Sequence, residues 1–294
     1  MKIRNSFHTY AMITILIWSL TFVVSRLALQ YFSPLSLAFL RFFIASCTLL
    51  VVIVVTKMQL PKKEDLPLFF VAGAIGFFFY MIAFNMGQNE LTASTGSVVI
   101  ATVPVMTAVL ARFIYKEKLN KLKWFAIAIE FFGVAVLTLM NGVLSINKGL
   151  YWMFPAAIAL SMYNIFQRKL IKKYSALQAT TFSIFFGTIL LGIFAPTAIR
   201  ETISAPPIQW FYIMLLGVFS SAIAYVSWTK AFSKAKQTSQ VSNYMFVTPF
   251  LTSVFGFLIV GEVPEKATII GGGIILAGVF LFNFGDRFFK KRKQ

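Results

Sequence analysis

The chain has 294 residues, 59% of them hydrophobic and only 12% charged, with 34 Phe and a formal net charge of +18. Soluble domains carry about 25% charged residues, so this composition excludes an ordinary water-soluble fold. A single His and a single Cys exclude an intramolecular disulfide and a Cys/His zinc site, and histidine-dependent catalysis would rest on His8 alone. No catalytic residue, metal or cofactor is expected.

Ten apolar stretches follow one another, at about 7–29, 34–56, 66–88, 92–115, 121–143, 149–168, 177–199, 207–231, 237–260 and 266–286. Each is near twenty residues, and such a helix rises about 30 Å, the thickness of a bilayer's hydrocarbon core. The fold class predicted is an all-α integral membrane protein with ten transmembrane helices. The first run is longer than a signal-peptide core and further spans follow it at once, so it reads as a span. His8 reads as solvated at a membrane face and Cys47, inside span two, as a small apolar packer. Trp124, Trp152 and Trp210 read as interface anchors and Gly271-Gly272-Gly273 as a site of close helix packing.

Charged clusters separate the spans, among them KMQLPKKEDLP, YKEKLNKLK and RKLIKKYSA. Counted by side, twenty-two Lys and Arg residues fall on one face, and four, Arg26, Lys148, Arg200 and Lys266, on the other. Arg41 alone lies within a span. Such a bias is the positive-inside pattern. It predicts a multi-pass protein of the plasma (cytoplasmic) membrane with both termini cytoplasmic. Short basic runs between spans are an orientation signal, so the partners expected are the lipid bilayer and a small-molecule substrate, and not nucleic acid.

The two halves match at an offset near 145. Phe32-Ser33-Pro34-Leu35 precedes span two, and Tyr174-Ser175-Ala176-Leu177 precedes span seven. Arg26 matches Arg168, Pro104 matches Pro249, Glu117 matches Glu262, and Gly133-Val134 matches Gly278-Val279. Two repeats follow, residues 1–145 and 146–294, of five spans each. An odd span number inverts the second repeat in the membrane, the arrangement by which secondary transporters build a midplane site and alternate its access.

The segment WSLTFVVSRLALQYFSPLSLAFLRFFIAS, Trp18 to Ser46, together with Pro104, Pro249, Glu117 and Glu262, resembles the drug/metabolite transporter superfamily, specifically its ten-span EamA-type family. The resemblance covers essentially the whole chain. It implies a central cavity bounded by spans one, three, four, six, eight and nine, and export of amino acids, other metabolites or toxic compounds. The second half departs from the first at Arg41, where Ser183 stands.

Polar and aromatic residues on those spans are the candidate substrate contacts. They are Trp18 and Thr21, Tyr80 and Asn85, Thr102, Tyr163 and Asn164 with Gln167, Tyr225 and Trp228, and Asn243 with Thr248. Asn and Gln in hydrocarbon need partners and should face inward. Trp228 also reads as an interface anchor. Pro104 and Pro249 each remove a backbone hydrogen bond at mid-depth and are expected to form hinges or cavity wall. Arg41 lies about 10 Å below the outer surface; it is read first as snorkelling outward or bonding carbonyls at a helix end, and second as a substrate or ion contact. Glu130 is a candidate for coupling as a proton-relay carboxylate; the alternative is a local role, partnered by Lys123 or cytoplasmic water. No ATP-binding loop is present, so the driving force is a gradient of protons, an ion or a counter-solute. The alternatives are an integral membrane enzyme acting on lipid, for which acids and histidines are scarce, and a passive channel, for which a continuous polar stripe is lacking.

Overall fold

The computed structural model describes residues 6–140, 148–261 and 266–291. Lys2, Arg4, Arg292, Lys293, Glu262 and the junction at 145/146 lie outside the described residues. Among those described, every regular element is helical. In chain order these are α1 (Phe7–Ala28), α2 (Pro34–Thr56), α3 (Lys63–Glu90), α4 (Ala93–Tyr115), α5 (Lys121–Met140), α6 (Lys148–Leu170), α7 (Ala176–Ile203), α8 (Pro207–Lys234), α9 (Thr238–Val260) and α10 (Lys266–Lys291). Among the described residues, eight of them, all but α5 and α10, are long and apolar enough to cross a membrane. α5 carries Lys121, Lys123 and Glu130, and the apolar run of α10 is shorter, Ile270–Gly285.

Local chemistry sets the ends. Ser33 caps α2, with its hydroxyl accepting from the Ser36 amide and Pro34 in the first turn. Ser175 and Gln178 form a reciprocal capping box at α7, and Thr92 caps α4. Helices α2, α4 and α9 end on left-handed residues, Lys57, Lys116 and Gly261.

The surface is apolar, and the largely apolar interior also holds many polar side chains. Val54, Val55, Phe113, Ile189 and Ile203 are exposed; each would cost about 1.5–3 kcal/mol in water and nothing against lipid tails. Cys47 shares that exposure, so it is not the packed residue expected from its small size. Ser, Thr, Asn and Gln side chains from eight helices are fully buried. His8 is also not the solvated residue expected: it is half-buried, its Nδ1 bonds Tyr244 Oη, and its ring stacks on Phe284 with centroids 5.3 Å apart.

Helix pairing follows a regular scheme. α1 packs on α8 and α9, while α6 packs on α3 and α4. α2 and α7 pack on each other, on α8 and on α3 respectively; α4 meets α9 and α5 meets α10. Each pairing recurs five helices on. The closest approaches are made by glycine. A Cβ on Gly73 would lie 2.5 Å from the Ser183 carbonyl oxygen, and one on Gly187 2.4 Å from Phe77 Cβ, so α3 and α7 touch through backbone. Of the triple glycine, Gly272 packs under the Phe250 ring, whereas Gly273 has nothing within 4 Å.

A Cβ at Gly76 would fall 2.1 Å from Tyr163 Cδ2, a fully buried ring. Gly76→Ala is therefore expected to overpack the α3–α6 contact and lower the apparent melting temperature in detergent, at a cost of about 1–3 kcal/mol. Gly273→Ala, placed in open space, should leave that temperature unchanged or slightly raised.

Candidate functional site

At the centre of the bundle lies a nearly closed cavity. Its lining comes from α1 (Trp18, Thr21, Phe22), α2 (Arg41), α3 (Tyr80, Phe84), α4 (Ile100), α6 (Leu160), α8 (Tyr225) and α9 (Met245, Thr248). The space open to the centre of a water-sized sphere is about 20 Å³, enough for a single water and too little for a metabolite.

Irregular backbone converges on this space. α4 breaks into Ala93–Ile100 and Val103–Tyr115, with Pro104 in the first turn of the second piece. α9 passes from Thr238–Ser242 through a 3₁₀ stretch, Asn243–Val247, into Thr248–Val260, whose first turn holds Pro249. Proline cannot bond the carbonyl four residues earlier. Those residues are Ile100 and Met245, and both line the cavity. Wide π-helical turns occupy Ala74–Phe79 in α3 and Leu215–Ile223 in α8. Such turns are rare in proteins and cluster at functional sites.

The turn in α8 presents Ser220, which sequence reading missed. Its carbonyl accepts from Trp18 Nε1 at 3.3 Å, and its hydroxyl lies 2.6 Å from Thr21 Oγ1 and accepts from Arg41 Nη2 at 3.2 Å. The Ser220-Ser221 pair inside an apolar span was the available signal. Arg41 is 2% exposed. It neither snorkels outward nor bonds helix-end carbonyls, the roles read first for it. It donates to Ser220 and, at 3.4 Å, to Ser25 Oγ, and lies 6.0 Å from the Phe84 ring centroid.

The other candidates fall into three groups. Trp18, Thr21, Tyr80 and Tyr225 meet in the cavity wall with Thr248. Tyr163, Asn164 and Trp228 form a packed layer next to it. Trp228 sits 5.2 Å from Trp18 between ring centroids and donates Nε1–H to Asn164 Oδ1 at 2.9 Å; Asn164 Nδ2 donates to Thr107 Oγ1 at 3.2 Å. Trp228 is fully buried, so it is no interface anchor. Tyr163 packs edge-on to Tyr225 at 5.7 Å. Asn85, Thr102 and Asn243 lie off the cavity wall. Asn85 ties α3 to the start of α2 through the Pro34 carbonyl at 3.0 Å, and Thr102 bonds the Val99 carbonyl within the α4 break at 2.7 Å. Asn243 donates to Glu130 Oε1 at 3.0 Å. Glu130 is fully buried and its Oε2 has no hydrogen-bond partner. Lys123 is not its partner, since Lys123 Nζ donates to Gln237 Oε1 at 2.8 Å.

Two matched clamps flank the site. Arg26, at the end of α1, donates to the carbonyls of Gln88, Asn89 and Leu91 at 3.2, 3.2 and 2.7 Å, at the end of α3. Arg168, at the end of α6, donates to the carbonyls of Phe232, Ala235 and Lys236 at the end of α8, the last two at 3.0 and 2.8 Å. A guanidinium there satisfies the orphan carbonyls and the negative end of the helix dipole. Glu117 does the converse at the start of α9, accepting from the Thr238 amide at 2.7 Å.

The chain is 32% identical to the uncharacterized transporter YdfC of Bacillus subtilis, over 90% of its own length and 86% of that protein's. It is 26% identical to a probable terminal-alkyne amino-acid exporter of Streptantibioticus cattleyicolor, over 92% of this chain and 91% of that one. It is also 26% identical to an S-adenosylmethionine uptake transporter of Rickettsia prowazekii, over 85% and 83%. A solved crystal structure with 16% identity superposes at a TM-score of 0.76, covering 95% of this chain and 96% of that one, and shares its fold. The signature of the EamA-like transporter family matches twice, over residues 6–139 and 147–284. The chain belongs to the EamA-like transporter family, as a multi-pass membrane protein built for transport.

Proposed function

We propose that this protein is a secondary active transporter that exports a small metabolite, an amino acid or related compound or a drug, by alternating access. Ten spans form two inverted five-helix repeats, residues 1–145 and 146–294, in the plasma membrane with both termini cytoplasmic. The observation that carries this reading is the closed central cavity between two matched helix breaks, held by matched arginine clamps. Helix pairings that recur five helices on and two separate family matches support the repeat. The charge bias over the loops supports the orientation, and the relatives named as an exporter and as an uptake transporter support transport.

Inversion places the Arg26 clamp on the outer face and the Arg168 clamp on the inner one. A cavity with room for one water admits a solute only after helices move apart. The α3 and α8 ends held by the clamps are the segments that must release, one face at a time. Glu130 and Asn243 join α5 to the 3₁₀ stretch of α9, which continues into the cavity residues Met245 and Thr248. Protonation of Glu130 would alter that bond and so bias the α9 break, a route for coupling to a proton gradient.

Two measurements check these points. In a Cys47→Ser background, Thr248→Cys reports cavity access to a membrane-impermeant maleimide. Arg26→Ala should raise labelling from outside and lower it from inside, and Arg168→Ala should do the reverse. Parallel changes in both variants would remove alternating access and favour a channel.

With the same reporter, labelling should differ between mildly acidic and mildly alkaline buffer in the parent protein and become independent of pH in Glu130→Gln. Persistence of the pH response in that variant would remove Glu130 from coupling.

A further inference from the structure

We propose that Arg41 is the recognition group for a single carboxylate on the transported compound, which makes the substrate class small organic monocarboxylates with an apolar or aromatic remainder. This rests on the transporter reading above.

The chain contains its own standard for a structural arginine. Arg26 and Arg168 each donate to three backbone carbonyls at a helix end. Among the described residues Arg41 has no carbonyl partner and no carboxylate partner. Its bonds run at 3.2 and 3.4 Å to two hydroxyls, the first already engaged with Thr21 at 2.6 Å, and its buried Nε–H has no partner. A cation in this position costs several kcal/mol unless an anion meets it. Nothing in the cavity wall can serve, because that wall contains no acidic side chain. The missing charge must then arrive with the occupant.

The wall also narrows which anion fits. Aromatic faces from α1, α3 and α8, with Trp18, Tyr80, Phe84 and Tyr225, adjoin the guanidinium. They favour a flat or apolar organic body over a hydrated inorganic ion. One guanidinium matches one carboxylate through a forked pair of N–H bonds. The second half supplies no further cation, since Ser183 at the corresponding position is bonded to Gln167 and the Ala179 carbonyl. A multiply charged phosphate would remain under-compensated here.

The test uses thermal unfolding of the purified full-length protein in detergent. The probes are L-phenylalanine, L-leucine, the two corresponding 2-oxo acids, L-phenylalaninamide, L-leucinamide and sodium sulfate. At least one amino acid or oxo acid should raise the melting temperature while its amide and sulfate do not; comparing amino with oxo acids shows which of them is the source of the carboxylate. Arg41→Gln should abolish that shift. Arg41→Lys, which keeps the charge and loses the fork, should weaken it about tenfold in apparent Kd, the equivalent of about 1.4 kcal/mol. Gel filtration of each variant controls for folding, and the acid-versus-amide contrast in the unaltered protein needs no variant. Equal stabilisation by acids and amides, a shift retained in a well-folded Arg41→Gln, a dominant effect of sulfate, or no effect of any acid would each overturn the proposal. The Thr248→Cys accessibility measurement requires no ligand, so the transporter reading stands or falls separately.

Discussion

Backbone amides and carbonyls have no partner in hydrocarbon, and that constraint organises this molecule. An unpaired group there costs several kcal/mol, so irregular backbone survives only where protein or water surrounds it. Five helices are interrupted, α3, α4, α7, α8 and α9. Those in α3, α4, α8 and α9 contribute to or directly adjoin the central cavity, through Tyr80, Ile100, Tyr225 and Met245, whereas the 3₁₀ turn Gly192–Phe194 of α7 lies away from it with Ile193 exposed. α2, α5 and α10 are unbroken. Four of the five breaks thus cluster at the cavity, and inward breaks hold neighbouring helices from closing completely. The same irregular turns are where a helix bends most cheaply, so in the proposed transport cycle the site and the moving parts would coincide.

Helix ends face a milder form of the same constraint, and charge solves it. Terminal carbonyls of α3 and α8 are met by Arg26 and Arg168, and terminal amides of α9 by Glu117. These bonds link α1 to α3, α6 to α8, and the α4–α5 connection to α9. Half-exposed charge-assisted bonds of this kind are worth about 1.5–3 kcal/mol each, small enough to break in a transport cycle and large enough to hold a closed state. Arg41 differs because it lies deep in the bundle and its partners are hydroxyls.

Much of this was legible in the sequence, and the reasons for the rest are specific. Helix positions follow from apolar run length, and the breaks in α4 and α9 from Pro104 and Pro249, because proline acts locally on its own helix. The matched places of Arg26 and Arg168 were visible, but not their carbonyl partners, which lie about sixty residues on. π-helical turns leave no local signature: Gly76 and Gly217 mark them only once the facing Tyr163 and Ile44 are known. Arg41 was read first as snorkelling because depth along a helix says nothing about which face the side chain takes. Ser25 is unremarkable as a single hydroxyl in an apolar span, and the Ser220-Ser221 pair signals only local polarity; their importance comes from a guanidinium on another helix. For Glu130 the nearest charge in sequence, Lys123, was the wrong partner, since α9 brings Asn243 closer.

Under the proposed repeat, scaffold and chemistry divide in an instructive way. At the α5–α10 contact, Gly133 lies against Ile275, its would-be Cβ 2.8 Å from Ile275 Cγ1, and Gly278 lies against Glu130, 2.4 Å from its Cγ. Gly133 and Gly278 correspond at an offset of 145, and so do Glu130 and Ile275. Two equivalent sockets thus hold a carboxylate in one case and an isoleucine in the other, both fully buried. Packing at this position is met by an apolar side chain, so the carboxylate of Glu130 adds desolvation cost without a packing need. Arg41 and Ser183 make the same contrast in α2 and α7. Both deep charges belong to the first half, while glycine contacts, proline breaks and arginine clamps recur in both. In the proposed cycle a symmetric frame would exchange inward and outward states of similar energy, and asymmetric charge within it would let a solute bind in one orientation and a proton act at one place.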